Sequence, residues 1–173
     1  MSKKYKRCFL KAKEAKAVLR DASVRLKINL EGIFGVTAKV ERAETDFGEI
    51  FFINGEPLLF KKTGDGFFPT LLFKEFFASS PKIVVDMGAV PHICNGANVM
   101  APGVVRFEGN FNKGDLVFVV DEKYTKPIAI GEAIYSYAEV AEVKHGVVVK
   151  TIHFVGDRIW NSLKKLKDGN INL

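Results

Sequence analysis

Gly88 and Gly96 are the residues of this chain whose type and spacing could bind phosphate. Neither carries a Cβ, so a ligand could approach main-chain amides that a larger residue would shield. Amides exposed in this way bind anionic oxygens, and a nucleic-acid strand carries a row of them. The spacing therefore predicts a site for a sugar-phosphate strand, although glycines of this kind also serve simple turns.

The residues around the two glycines predict a strand, a short helix and a second extended segment. Residues 83–85 are β-branched, as in a buried strand, and Asp86 can cap the turn that follows. Gly88–Cys94 fits about two helical turns, and Asn95-Gly96 suits a left-handed C-terminal cap. The chain then extends again over 97–107, so we expect the glycines at the two ends of one helix.

Other kinds of site are not indicated by the sequence. The histidines and cysteines lack metal-ligand spacing, and no phosphate-binding loop, dinucleotide fingerprint or nucleophile motif is present. Asp86 is better placed as a helix cap than as a catalytic carboxylate. We therefore predict a protein that is not an enzyme and has no metal site and no cofactor.

Positive charge is concentrated at the N-terminal end of the 173 residues. Residues 1–27 hold ten Lys or Arg against Glu14 and Asp21, a net charge of +8. Lys11–Ile28 has the periodicity of an amphipathic helix with basic residues along its outer face. We call these outer-face residues the basic ridge: Lys13, Lys16, Arg20 and Lys27. Lys3, Lys4, Lys6 and Arg7 extend the ridge, which is then long enough to contact several phosphates.

The N-terminal half predicts a small antiparallel sheet with helices. Asn54-Gly55 lies between two strand patterns and is a strong hairpin signal. Pro69–Ala78 begins like a helix with proline in its first turn. Ser79-Ser80-Pro81 is the expected boundary, which gives one domain over 1–81 and a second over 82–158, with a C-terminal tail over 159–173.

The second domain predicts five or six short strands with two short helices. Leu116–Val120 is continuously apolar, as in a central strand, and Gly131 interrupts another strand where a bulge or close backbone approach is expected. Ser136 and Glu139 form a capping box before the last strand. This order is typical of a compact, partly closed barrel. No run reaches the roughly 18 apolar residues of a membrane span, and no secretion signal is present, so we expect a soluble cytoplasmic protein.

Several motifs resemble those of a known family. The segment Val85–Gly103 with Gly131 is similar to the opening of a PUA domain, the RNA-binding module of pseudouridine synthases and archaeosine transglycosylases. Further motifs resemble the malignant T-cell amplified sequence family, also called translation machinery-associated proteins: Ile53-Asn54-Gly55-Glu56, Phe67–Leu71, and His153 with Asp157 and Trp160. The resemblance implies an α+β protein, in which an α/β pre-PUA domain with a small antiparallel sheet precedes a mostly β PUA pseudo-barrel.

The resemblance also implies a function and partners. Eukaryotic members act at the small ribosomal subunit, in non-standard initiation and recycling, with the density-regulated protein. For this chain it implies an archaeal, ribosome-associated protein that binds small-subunit rRNA or a tRNA acceptor end. Main-chain amides, Arg106 and Lys150 would meet phosphates, while His92, Asn95 and Asn98 would reach sugars or bases. The groove would be lined by Gly88, Ala89, His92, Asn95, Gly96, Ala97, Asn98, Arg106, Lys150 and His153.

Two other functions fit the same sequence. The protein could be an adaptor whose pre-PUA face binds a translation factor, or a subunit that targets an RNA-modifying enzyme. Mutation of the exposed pre-PUA sheet distinguishes the adaptor from the RNA-binding protein, and a co-purifying catalytic chain would identify the third.

Overall fold

The computed structural model describes residues 5–168, which fold as an α+β protein, as predicted. The chain divides into two units: residues up to Phe73 together with those from Leu163 onward, and Lys74–Ser162. Lys3 and Lys4, the extension of the basic ridge, lie outside the described residues, as does the end of the predicted tail, 169–173. Within the described residues, no helix is both long enough and apolar enough to span a bilayer.

The first unit contains an antiparallel sheet of five strands in the order of the chain. Each strand pairs with the next, so the sheet is a simple meander. Two helices lie between the first and second strands, α1 (Ala12–Leu26) and α2 (Leu30–Phe34). The strands are β1 (Arg7–Phe9), β2 (Val40–Glu44), β3 (Gly48–Ile53), β4 (Glu56–Lys62) and β5 (Phe67–Pro69).

Helix α1 confirms the helix predicted over 11–28. Its apolar face is buried and packs against β5, while Val24, on the other side, is 76% exposed. The Arg25 guanidinium lies 5.3 Å from the centre of the Phe68 ring, where a cation and an aromatic face attract each other. The buried residues recur at helical spacing: Ala15, Leu19, Ala22 and Leu26.

The Asn54-Gly55 hairpin is also confirmed. Both residues have positive φ, 49° and 87°, as in the turn type that matches strand twist. The Asn54 side chain also accepts a hydrogen bond from the Lys39 amide at 3.0 Å, which ties the turn to the segment before β2.

The helix predicted for Pro69–Ala78 is wrong in its first half. Phe67–Pro69 is strand β5, and the helix α3 begins only at Lys74 and ends at Ser79. Thr70 gives the reason, because its hydroxyl donates to the Pro57 carbonyl at 2.8 Å and its amide to the Leu58 carbonyl at 2.8 Å. These tertiary bonds hold the segment extended against β4, although its residue pattern suits a helix start.

The second unit is built on a six-stranded sheet in the order β7-β11-β10-β9-β6-β8. The pairing of β6 with β9 is parallel, and the other pairings are antiparallel. Two short helices follow β6 and β10, α4 (Val90–Ile93) and α5 (Tyr137–Val140). The strands are β6 (Lys82–Val85), β7 (Val99–Met100), β8 (Val104–Glu108), β9 (Leu116–Asp121), β10 (Pro127–Ala133) and β11 (Val147–Phe154).

A short connection forces this sheet to curl. Strands β7 and β8 are its two opposite edges, yet only the single 3-10 turn Ala101–Gly103 joins them. The edges must therefore approach each other, which gives the predicted partly closed barrel. The expected bulge is present between Ile130 and Gly131, where β10 changes register against β11.

The core of the second unit lies on both faces of β9. All six residues of β9 are buried, which confirms the central strand predicted over Leu116–Val120 and adds Asp121 to it. Val117 and Val119 belong to the core cluster inside the barrel, whereas Phe118 packs against Phe76 and Phe77 of α3, with ring centres 5.6 and 4.9 Å away. The alternation of β-strand side chains explains this division.

The described part of the predicted tail, together with Arg158, is helical. Helix α6 (Arg158–Asp168) buries three apolar residues at helical spacing, Ile159, Leu163 and Leu166.

The domain boundary after residue 81 stays a prediction. The two units of the structure divide between Phe73 and Lys74.

Candidate nucleic-acid interface

The turn after β6 is held by Asp86, as predicted. Its Oδ1 accepts a hydrogen bond from the Ala89 amide at 2.8 Å, and its own amide donates to the Gly103 carbonyl at 3.0 Å. The first bond closes the turn before α4, which begins at Val90 and not at the predicted Gly88, and the second joins this turn to the connection between β7 and β8. A Cβ on Gly103 would lie 3.1 Å from Ala89 Cβ, so the two segments are in close contact.

Helix α4 ends at the predicted left-handed cap. Gly96 has φ of 94°, which strains any residue with a side chain, and its amide donates to the Ile93 carbonyl at 3.0 Å. The Ala97 amide donates to the His92 carbonyl at 3.0 Å. A side chain on Gly96 would also meet the Phe154 ring, at 3.4 Å from its Cβ.

These bonds correct the expectation that bare amides await phosphate at Gly96 and on either side of Gly88. Gly88 and Gly96 are exposed, but the amides of Ala89, Gly96 and Ala97 already donate within the chain. The Met87 amide likewise donates to Glu122 Oε1 at 3.2 Å. An anion bound here must therefore be held chiefly by side chains.

Asn98 serves the fold as well as the surface. Its Oδ1 accepts from the Thr151 amide at 3.0 Å, and the Thr151 hydroxyl donates to the Ala97 carbonyl at 2.9 Å. These bonds extend the β7–β11 pairing by one step beyond Val99. Asn98 therefore positions the segment after α4, and its carbonyl oxygen is already used within the fold.

The predicted phosphate ligands are exposed side chains on two strands. Arg106 lies on the edge strand β8, with its Nε 2.9 Å from Glu108 Oε1. Lys150 lies on β11 opposite Glu132. His92 and Asn95 are exposed on and after α4. Exposed ion pairs contribute little, so a phosphate could compete with Glu108 for Arg106.

His153 does not belong to this surface, which corrects its predicted role. The side chain is fully buried, and its Nδ1 donates to Asp157 Oδ2 at 2.8 Å. Asp157 also accepts from the Phe154 amide at 3.0 Å and the Trp160 amide at 2.6 Å. Burial acts to raise the pKa of Asp157, but the His153 hydrogen bond and charge and these amides hold that pKa below its ordinary value.

Asp157→Asn should reduce stability and change its dependence on pH. Because the pKa of Asp157 is lower in the folded state, its carboxylate stabilises the fold at pH values above its unfolded-state pKa of about 3.9. This stabilisation is lost as the pH falls through the folded-state pKa. We expect the variant to lose about 2 kcal/mol at pH 7 and much less below pH 4. Chemical denaturation across this range measures the difference. Asp65→Asn, at an exposed turn, is the control, and equal losses at both ends of the range would contradict the prediction.

The loop between β9 and β10 is a part of the surface that sequence reasoning missed. It lies beside the turn after β6, because the Glu122 amide donates to the Val85 carbonyl at 3.0 Å. Its tip holds Tyr124 between Lys123 and Lys126. An aromatic residue between two lysines, Lys-Tyr-Thr-Lys, is the signal that could have found it.

The basic ridge lies on the first unit. All four of its side chains are exposed on α1, opposite the buried face. Arg20 has only a distant contact with Asp21, 3.5 Å between Nε and Oδ1, and both are exposed. Lys27 ends the helix in a left-handed conformation, with φ of 57°.

Two family models match the chain. Residues 81–155 match the family described as the PUA domain, and residues 6–74 match a domain of unknown function, DUF1947. The two matches follow one another along the chain and leave only short segments outside them.

Relatives are found in archaea and in eukaryotes. An uncharacterized protein of Methanocaldococcus jannaschii is 41% identical over 157 residues, which is 90% of this chain and 96% of the relative. Translation machinery-associated protein 20 of Saccharomyces cerevisiae is 32% identical over 65% of this chain and 66% of its own. Malignant T-cell-amplified sequence 2 of mouse is 28% identical over 65% of each chain. The match thus spans about two thirds of these eukaryotic relatives.

Solved structures share the fold. A hypothetical protein of Pyrococcus horikoshii has a TM-score of 0.75 at 34% identity, covering 91% of this chain and 99% of the other. A PUA-domain protein of Aeropyrum pernix, solved as a tartrate complex, has a TM-score of 0.79 at 26% identity, covering 94% and 92%.

Proposed function

Because the chain belongs to the family that joins a DUF1947 domain to a PUA domain and includes translation machinery-associated protein 20, we propose that it is a non-catalytic RNA-binding protein of translation. Its RNA is small-subunit rRNA or a tRNA acceptor end, and it acts in the cytoplasm during initiation or recycling. The name of the yeast relative supports the link to translation, and the PUA domain supports the RNA.

One observation carries this proposal: the predicted RNA-contacting residues lie on the surface of the second unit, apart from the buried His153 and the half-buried Ala89. If these residues served only the fold, so many of them around α4 and before β7 would not need to be exposed to solvent. The exposed members are Gly88, His92, Asn95, Gly96, Ala97, Asn98, Arg106 and Lys150.

The chemistry follows from which groups remain available. Since the amides at Ala89, Gly96 and Ala97 are engaged, Arg106 and Lys150 supply the charge for phosphates. His92 and Asn95 can stack on or hydrogen-bond to sugars and bases. The exposed basic ridge on α1 adds phosphate contacts that do not depend on sequence.

Binding measured against salt tests the proposal. Purified protein is titrated with tRNA and with small-subunit rRNA between about 50 and 200 mM salt, and affinity should fall steeply over that range. A purified protein that retains nucleic acid, seen as a raised ratio of absorbance at 260 and 280 nm, would agree. Absence of binding to both RNAs, or binding indifferent to salt, would refute it.

Gly88→Glu should weaken RNA binding about tenfold without unfolding the protein. The new carboxylate would repel phosphates at the start of the groove, and each factor of ten corresponds to about 1.4 kcal/mol. The backbone permits the change, since Gly88 has no positive φ and a Cβ there meets only Asp86 Oδ1, at 3.3 Å. Affinity for rRNA and the melting temperature are measured together.

Gly66→Glu is the matched control for this prediction. Gly66 is exposed, lies in the first unit, has no positive φ and has no atom within 4 Å of its Cβ position. The Gly66→Glu substitution therefore changes the net charge by the same amount as Gly88→Glu, but at a position outside the groove. Equal affinity of the two variants for rRNA would show that the Gly88 position is not near the bound strand.

An exposed aromatic residue favours a second function, as an adaptor for a translation factor. Phe9 is 67% exposed on β1, which is an edge strand of the first sheet. Edge strands and exposed aromatic rings are common in protein interfaces. Phe9→Ser should abolish ribosome association without changing affinity for isolated rRNA if the adaptor function is correct, and should change neither if it is not.

A further inference from the structure

Tyr124 is the most exposed large aromatic residue described in the second unit. It is 60% exposed at the tip of the β9–β10 loop, where burial of the ring contributes little to folding. Two ammonium groups lie close to this ring, with Lys123 Nζ at 5.1 Å and Lys126 Nζ at 5.7 Å from its centre. An aromatic face flanked by cations is the arrangement that binds a base together with its phosphates.

Hydrogen bonds to the main chain fix the backbone of the loop that carries this ring. The Asp121 carboxylate accepts hydrogen bonds from the amides of Tyr124 and Lys126, and the Thr125 amide donates to the Asp121 carbonyl at 3.1 Å. Although burial acts to raise it, the pKa of Asp121 lies below its ordinary value because of the amides around it, so the anchor stays ionised. A loop whose backbone is fixed before binding loses little backbone entropy when it binds.

The loop also lies beside the candidate groove. The Glu122 amide donates to the Val85 carbonyl at 3.0 Å, and Glu122 Oε1 accepts from the Met87 amide at 3.2 Å. The carboxylates of Asp121, at the end of β9, and of Glu122 thus accept main-chain hydrogen bonds, and the two lysine ammonium groups lie over the ring. Gly88 is the next residue after Met87, so the loop that carries the ring starts beside the start of the groove.

We propose that Tyr124 stacks on an unpaired base of the RNA that enters or leaves this groove, and that Lys123 and Lys126 bind the phosphates next to that base. This inference rests on the proposed RNA-binding function and adds the class of ligand: a single-stranded segment. Every base has a face that can stack, so the contact gives affinity with little sequence preference.

The experiment compares two probes. One is a fluorescein-labelled oligouridylate of about ten nucleotides, and the other is a strand of the same length without bases. Titration by fluorescence anisotropy gives the dissociation constant for each. Tyr124→Ala should raise it about tenfold for oligouridylate and leave it unchanged for the abasic strand, whereas Tyr124→Phe should match the wild type.

Two further variants separate stacking from charge and from general loss of an aromatic residue. Lys123→Ala combined with Lys126→Ala should weaken both probes, because phosphates are present in both. Tyr137→Ala removes another exposed tyrosine, whose ring packs against Phe111 with centres 5.8 Å apart, and should weaken neither. Melting temperatures confirm that each variant is folded.

The possible outcomes distinguish this inference from the function on which it rests. The stacking role alone is overturned if the wild type binds oligouridylate and Tyr124→Ala binds it equally well. It is also overturned if Tyr124→Ala loses as much affinity for the abasic strand as for oligouridylate. A wild-type protein that binds neither probe, no rRNA and no tRNA overturns the proposed function and the stacking role with it.

Discussion

Gly131→Ala should destabilise the second unit by about 3 kcal/mol. Gly131 is buried at the bulge in β10, where a Cβ would overlap Val149 Cγ1 and lie 2.6 Å from the Lys150 carbonyl oxygen. The second of these is main chain in the neighbouring strand, so it cannot rotate away as a side-chain tip could. The added methyl group must push β10 and β11 apart.

Thermal unfolding followed by circular dichroism measures this effect. A loss of this size in a unit of this length lowers the melting temperature by roughly 10–20 °C. Gly66→Ala is the control, since its Cβ position has no neighbour within 4 Å and its φ is not positive. A Gly131→Ala protein that melts with the wild type would mean that the two strands are not held as closely as described.

Removal of the basic ridge should weaken binding to small-subunit rRNA about 100-fold at low salt. The variant combines Lys13→Gln, Lys16→Gln, Arg20→Gln and Lys27→Asn, with asparagine chosen because it tolerates the left-handed conformation at Lys27. If each side chain neutralises one phosphate, the slope of log affinity against log salt should also flatten by about 3. Titrations at several salt concentrations measure both quantities.

Net charge is the alternative explanation that the control must exclude. Lys39, Lys74, Lys113 and Lys144 are exposed outside the ridge, and their replacement by glutamine removes the same total charge. Equal losses for the two variants would assign the effect to the overall field of the protein. An unchanged affinity in the ridge variant would remove α1 from the proposed interface.

Features that depend on neighbouring residues in the chain were predictable from sequence. The Asn54-Gly55 turn formed as expected because its backbone preference is local. The capping box also formed, with the Ser136 hydroxyl accepting from the Glu139 amide and the Glu139 carboxylate accepting from the Ser136 amide. The buried strand β9 followed from its unbroken apolar run.

Features that depend on distant partners were not predictable in the same way. Phe67–Pro69 is a strand because β4 and Thr70 hold it, although its local pattern suits a helix. Likewise, the turns at Gly88 and Gly96 indicated that these glycines are exposed, but not which nearby amides are already hydrogen-bonded. The Met87 amide, for example, donates to Glu122, 35 residues later, and no local sequence pattern predicts this bond.

His153 shows the same limit within the candidate site. A histidine in a strand near a predicted groove suggested a ligand contact, yet the strand turns it inward. Asp157, four residues later, pairs with its Nδ1, and although that spacing is visible in the sequence, it does not show that the histidine is buried.

The first unit is discontinuous, since its residues up to Phe73 are completed by those from Leu163 onward. Leu163 and Leu166 are buried, so part of its interior comes from the far end of the chain. During synthesis these two leucines are made after the whole of Lys74–Ser162. We therefore expect the first unit, although most of it is made first, to finish packing last, and a nascent chain stopped before α6 to leave its interior without these two leucines.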